Sequence, residues 1–394
     1  MPNWVKSPTR FDESVSIWDK VRAGPYVMAC GTATRGRPPR RPRGEGFTLY
    51  KTLRKEAFRS VVEAILAGSE GVEPRRVGTD RHGKPIHQFL PVERFEDIDF
   101  SYDTTEFSAK TYFLPFRERL STYRFSDGDW EQETRYRAEP RALIGLHSCD
   151  IHALLKLDKV FARDWYPSPY YLSRRRNTFI LGIDHDPCEG AFCRSLGTDT
   201  VTHGFDLFLT DIGESYFAAV GSDRGLSLID RFGARPITDE DSHRYVAERK
   251  RIAALMQNDL NLNNLPNLLD IEFKSPIWEK WGAKCLSCGT CAMVCPTCYC
   301  HGVYERISMD FQEGAKIRQL HACTLVDFAV VAGGHNFRPT PESRLKYRYY
   351  HQHRGFVEQH EEPKCVGCNR CGRACLAGIA PVDVIRELQE EVAP

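Results

Sequence analysis

With 394 residues, 41% of them hydrophobic and 11% aromatic, the chain can bury the cores of about two or three domains and is not disordered as a whole. Lys plus Arg total 54 and Asp plus Glu 53, a formal charge of +1 that gives no global attraction to nucleic acid or anionic lipid. No apolar run approaches the roughly 18 residues of a membrane helix, and the opening MPNWVKSPTRFDES has no apolar export stretch, so a cytoplasmic protein without membrane contact is expected.

Residues 1–105 form a loosely patterned N-terminal region. Arg35 to Gly44 (RGRPPRRPRG) has too many prolines for a helix interior or central strand and reads as an extended arm. Thr52 to Ala67 repeats apolar residues at helical spacing, with Gly68 as its stop. Residues 70–105 are turn-rich and charged, and 107–125 fit a strand or a short helix equally. Residues 106–270 read as an α/β domain with a partly parallel sheet. Its strands are Ala142–Leu146, Thr178–Ile183, Phe205–Thr210 and Ser215–Gly221, its helices Asp150–Phe161 and His243–Gln257. LNLNNLPNLLD (260–270) reads as a closing linker.

Residues 271–394 are organised around cysteine. The chain has 15 cysteines, an odd number that cannot all pair, and in a reducing compartment such abundance points to metal. Cys285, Cys288, Cys291 and Cys295-Pro296 follow C-x2-C-x2-C-x3-C-P, and Cys365, Cys368, Cys371 and Cys375 repeat that spacing without the proline. This is the ligand run of two-cluster ferredoxins, in which the fourth cysteine of each run ligates the other cluster. Cys285, Cys288, Cys291 and Cys375 are thus assigned to one 4Fe–4S centre, and Cys365, Cys368, Cys371 and Cys295 to the second. Structural zinc favours C-x2-C pairs over a repeated triplet plus one. The long separation makes 302–360 an insertion with its own structure. The fold class is therefore an N-terminal α/β region followed by a ferredoxin-like dicluster domain.

Seven cysteines remain. Cys30 reads as core. Cys149, Cys188 and Cys193 follow the C-terminal ends of two parallel strands, where α/β sheets place their sites, and with Asp184 are candidates for a third iron–sulfur centre. His147 or a further cysteine is an alternative ligand, and structural thiols or zinc are the competing readings. Cys298, Cys300 and Cys323 shape the cluster pocket, ligate another centre or fill space; the pattern does not choose.

The strings HSCDIHALLKLDKVF, YYLSRRRNTFILGI, FCRSLGTDT, CPTCYC, CTLVDFAVVAGGHNFRP and CVGCNRCGRAC occur in that order. Together they resemble the beta, electron-transfer subunit of soluble sulfhydrogenases, the NAD(P)-linked nickel–iron hydrogenases. The corresponding iron–sulfur subunit of anaerobic sulfite reductase belongs to the same dicluster family. The resemblance covers about residues 107–383. It implies a hetero-oligomer in which this chain carries electrons between a flavin subunit that handles NAD(P)H and a separate hydrogenase or sulfite reductase subunit, with no flavin or nickel of its own. Cys149 and Cys193 match family cysteines of ligand character. Leu376 stands where the family often has proline, and Asp184 where a cysteine is expected.

Two rival classes are weaker. Arg35-Gly36-Arg37-Pro38 has the core of a minor-groove hook, but it is single, so no nucleic-acid partner is expected. His147, His152 and Arg174–Arg176 could polarise an oxyanion in an autonomous enzyme, yet no G-x-G-x-x-G fingerprint accompanies them. Ala332–Arg344 and Lys346–His353 are rich in Arg, Tyr and His, which suggests burial against a neighbouring subunit.

Overall fold

The computed structural model describes residues 49–391 except 81, 82, 127, 135, 137 and 164. Cys30, the arm at Arg35–Gly44 and the hook reading lie outside the described residues. The described residues belong to one compact unit.

Twelve strands build two sheets among the described residues. In chain order they are β1 Leu49–Arg54, β2 Glu70–Thr79, β3 Pro85–Val92, β4 Arg117–Ser126, β5 Asp129–Thr134 and β6 Arg141–Leu146, then β7 Thr178–Ile183, β8 Leu207–Asp211, β9 Ser215–Val220, β10 Arg235–Pro236, β11 His301–Ile307 and β12 Glu313–Leu320. The main sheet has eight of them in the order β10-β1-β9-β8-β7-β6-β2-β3. Four consecutive strands, β8, β7, β6 and β2, run parallel and the remaining pairings are antiparallel. The second sheet is antiparallel, in the order β11-β12-β4-β5.

Side-chain alternation along the parallel strands gives the main sheet two buried faces. Ala142, Ile144, Leu181, Ile183, Leu207 and Leu209 pack with Phe58, Val61, Val62 and Ile65 of the helix Lys55–Leu66. Leu143, Leu146, Ile180 and Phe208 pack with Ile151, Leu154, Leu157 and Phe161 of the helix Ser148–Phe161. Leu143 and Leu146 share a face only because the register breaks between Ile144 and Leu146. Gly145 supplies the required left-handed turn at φ +82°, and its carbonyl accepts the Tyr102 hydroxyl at 2.6 Å.

The expected central strands and both helices of the α/β region are present within a few residues. The first helix starts later, at Lys55, because Leu49–Arg54 pairs with β9 as a strand. The turn-rich segment 70–105 holds the β2–β3 hairpin, and 107–125 holds a short 3₁₀ turn and β4. The segment 260–270 is no passive linker: Leu260, Leu262, Leu265 and Leu269 are buried in a second core with Trp278, Trp281, Leu345 and Tyr349.

That core corrects the docking-surface reading at Arg344 and Tyr349. The helix Pro341–His353, capped by Thr340 and opened by Pro341, buries Arg344, Tyr349 and His353 inside the chain. Arg344 donates to the carbonyls of Arg338 and Pro339 and to Ser287 Oγ, all near 3 Å, and Tyr349 packs on Trp278. Neither is free to meet a partner.

Candidate iron–sulfur centres

The first cysteine run leaves the helix Ile277–Lys284 and turns through two left-handed residues, Ser287 and Gly289, which fold its thiols inward. Cys285, Cys288, Cys291 and Cys375 line one cavity together with Cys371, closed by Thr324, Arg348 and Tyr349 and rimmed by the exposed Leu286 and Leu376. Cys288 is exposed; its Sγ lies 3.3 Å from Thr290 Oγ1. The last two cysteines of the second run, Cys371 and Cys375, thus stand beside the first three of the first run.

The complementary set is deeper. Cys365, Cys368 and Cys371 all lie within electrostatic reach of Cys295, Cys371 also of Cys291 and Cys368 also of Cys149. Burial raises Cys365 to about 12 and Cys371 to about 11, so ligation there must displace protons from reluctant thiols. The second run presses on the loop after β7. Phe192 N donates to Gly367 O at 2.8 Å, and a Cβ on Gly367 would meet the Cys193 amide nitrogen at 2.6 Å, so only glycine fits.

The donor sets suit polynuclear, anionic centres. Backbone amides point at sulfur, from Ser287 to Cys285 at 3.5 Å and from Gly367 to Cys365 at 3.3 Å. Among the described residues no three Cys, His, Asp or Glu stand as a single ion would need. Two buried cations beside the thiols, Lys110 and Arg348, have no carboxylate partner among the described residues. Lys110 donates to the carbonyls of Ala292, Cys295 and Cys298 at 2.6–3.2 Å. Burial opposes the charge of Arg348, yet Cys291, Cys298, Cys371 and Cys295 hold it protonated. A cation so placed requires negative charge nearby, which thiolate-ligated clusters supply. A lone lysine and an arginine in an Arg/Tyr-rich helix carry no sequence signal for this role.

Cys149, Cys188 and Cys193 do converge, in a buried group with Ala153, Ala191, Val366 and Cys368. Cys188 Sγ lies 3.3 Å from the Cys368 carbonyl oxygen. Asp184 does not join them. It leaves the end of β7 on the other side, where Arg249 at 2.6 Å and Thr210 at 2.5 Å hold its carboxylate. His147, the alternative ligand, is buried and stacked between Tyr102 and His185, with ring centroids 3.9 and 3.4 Å away. Behind the group, Arg370 of the second run pairs with Asp150 of the helix Ser148–Phe161 at 2.7 Å, both fully buried.

The autonomous-enzyme constellation is dispersed. His152 faces the Thr200 carbonyl at 2.6 Å, Arg174 pairs with Glu118, and Arg175 with Asp158.

Residues 284–379 match the family model of the 4Fe-4S dicluster domain. The chain is 35% identical over 325 residues to sulfhydrogenase 2 subunit beta of Pyrococcus furiosus, covering 80% of this chain and 92% of that protein. No solved structure matches it. Two opposed cysteine runs, the dicluster match and this similarity along most of the chain agree, and the chain belongs to the sulfhydrogenase beta-subunit family of iron–sulfur electron-transfer proteins.

Proposed function

We propose that this chain is the electron relay of a hetero-oligomeric cytoplasmic oxidoreductase. It passes electrons between a flavin subunit that handles NAD(P)H and a separate catalytic subunit of the nickel–iron hydrogenase type. Cys285, Cys288, Cys291 and Cys375 hold one 4Fe–4S centre, and Cys295, Cys365, Cys368 and Cys371 hold the other, in a ferredoxin-like arrangement. When bound, such centres take up and release one electron at a time. The residues of the chain set the conditions for that exchange. Arg348 and Lys110 offset negative charge, Tyr349 and Trp278 exclude water, and the Leu286–Leu376 rim offers an apolar approach to Cys288. The observation that supports the reading is the interleaving of the two runs, Cys371 and Cys375 with Cys285, Cys288 and Cys291 around one cavity. The Cys149–Cys188–Cys193 group beside Cys368 is the place for a third centre, without Asp184.

Anaerobic purification of the tagged chain with its partners, followed by metal analysis, tests this. About eight iron and eight acid-labile sulfide per chain are expected, or about twelve of each with the third centre. Nickel and flavin should reside in co-purifying subunits. Sirohaem in place of nickel would make the acceptor a sulfite reductase. Two zinc and no iron would sink the relay.

A further inference from the structure

The two cysteine runs repeat one spacing, but the carbonyls around their last cysteines are used differently. In the second run the chain's own backbone takes them. The Cys375 amide donates to the Gly372 carbonyl at 3.2 Å, and the Gly378 amide to the Cys375 carbonyl at 3.1 Å. The arginines of that run are turned elsewhere, Arg370 to Thr105 and Asp150, Arg373 to Asp103 and the Pro85 carbonyl. In the first run the equivalent carbonyls, of Ala292, Cys295 and Cys298, converge on Lys110 Nζ at 3.2, 2.6 and 3.0 Å. The repeat is therefore symmetric in sulfur and asymmetric in charge.

Lys110 is rigidly placed. It belongs to the 3₁₀ turn Ala109–Tyr112, and its carbonyl accepts the amides of Phe113 and Leu114 at 2.9 and 2.7 Å. Ala109, Phe113 and Leu114 are themselves core residues. Three carbonyl acceptors match the three N–H donors of an ammonium; a neutral amine would turn its lone pair toward an oxygen. The contacts thus call for the charged form, and Lys110 is only 2% exposed. No carboxylate meets it among the described residues, so a positive charge shielded from water rests on the carbonyl of Cys295. Arg348 does not separate the two sets in this way. Its Nη1 lies 3.5 Å from Cys298 Sγ, yet its side chain also lines the first cavity. Lys364, next to Cys365 in the chain, is buried too, but its Nζ faces the Tyr299 ring, 3.7 Å from the centroid, and His351.

We propose that Lys110 biases electron sharing between the two centres toward the buried one, held by Cys295, Cys365, Cys368 and Cys371. This deepens the relay reading and rests on its ligand assignment. One electron taken up adds one negative charge, with no bond made or broken. An ammonium fixed beside Cys295, away from water, favours that added charge. Its influence weakens toward Cys288, where solvent screens it. Lys110 acts through the carbonyls it holds, as a positioning residue, and draws electrons from the exposed side inward. Solvent at Cys288 also favours the reduced form of the exposed centre, so the bias is read as the change on removing the lysine charge.

The test is a redox titration of the full-length protein, purified without oxygen and followed by electron paramagnetic resonance. Cys288→Ser and Cys365→Ser mark which signal belongs to which centre. Lys110→Met removes the charge and keeps the length of the side chain, and Lys110→Gln removes it while keeping a donor for the carbonyls. In either variant with full iron content, the buried centre should become at least tenfold harder to reduce, a fall of about 59 mV or more for a one-electron couple. The exposed centre should move less than half as far. A shift as large in the exposed centre, or none in either, would overturn the bias. So would iron loss in both variants, which would make Lys110 a structural clamp alone. If Lys110→Met does not fold, Lys110→Gln decides. Failure of the relay reading would show separately, as an unmodified chain without iron.

Discussion

The two cysteine runs share a spacing but sit in opposite surroundings. The first opens to solvent at Cys288, between Leu286 and Leu376, both more than 60% exposed. The second is sealed under the Phe192–Cys193 loop and tied to the helix Ser148–Phe161 by the buried Arg370–Asp150 pair. Identical ligand patterns therefore specify what is bound, while the packing around them decides what it can meet. A centre near the surface can exchange with a partner; one buried beside further thiols can pass electrons inward.

The most severe way to break this contrast is to cross it. Cys375→Ser should damage the same centre as Cys288→Ser, each removing about four iron, although the two residues stand in different runs. Spectra in which Cys375→Ser instead perturbs the centre of Cys368→Ser would refute the crossed ligation. Next in size is Arg370→Leu, which strands Asp150 in the interior. It should cost about 3–5 kcal/mol in anaerobic denaturant titrations and leave the exposed centre least affected. Arg344→Ala should cost about 2 kcal/mol through its lost hydrogen bonds to Ser287 and the 338–339 carbonyls. Its signature is faster iron release from the first centre to a chelator, with partner assembly retained.

A subtler probe uses pH on the buried side. Burial, with Arg370 adding to it, lowers His185 to about 3, so it stays neutral in the folded chain. The unfolded chain binds that proton below about pH 6.5. The stabilising effect of neutral His185 is therefore complete above that pH, and falls by about 1.4 kcal/mol per unit on acidification toward pH 3. His185→Phe should remove this slope; an unchanged slope would assign the acid sensitivity elsewhere. Smallest in stability is Leu286→Glu at the exposed rim, expected within about 0.5 kcal/mol of wild type. It should nevertheless slow electron exchange with the partner, and an unchanged rate would move the docking face away from Cys288.

What could be read from the sequence followed the strength of local patterns. ALIGL and TFILGI announce β6 and β7 because strands buried on both faces are short apolar runs. The cysteine runs announce their chemistry because cluster geometry fixes ligand spacing. EGVEPRRVGT hid β2 because Pro74 and the charges argue against a strand, and only the fold reveals Glu73 buried against Arg75. Asn and Pro in LNLNNLPNLLD masked four leucines that fill a core. KYRYYHQH was misleading for a physical reason: Arg and Tyr serve protein interfaces, but the same side chains suit an interior crowded with thiolates. Asp184 sat where strand ends place ligands, yet side-chain direction, invisible in spacing, turned it toward Arg249.

The smaller sheet bears on how freely such proteins can be recombined. The dicluster match begins at residue 284, but the hairpin inside it is hydrogen-bonded along β4, with Glu313 opposite Arg124 and Gln319 opposite Arg117. Lys110, from the same distant stretch of chain, holds three carbonyls of the 292–298 loop. A segment cut out at 284–379 would carry all eight ferredoxin-type cysteines and yet expose a bare strand edge and lose the cation beneath its loop. The cysteine runs are thus not a transplantable module. Any graft into another scaffold has to bring residues 110–126 with it.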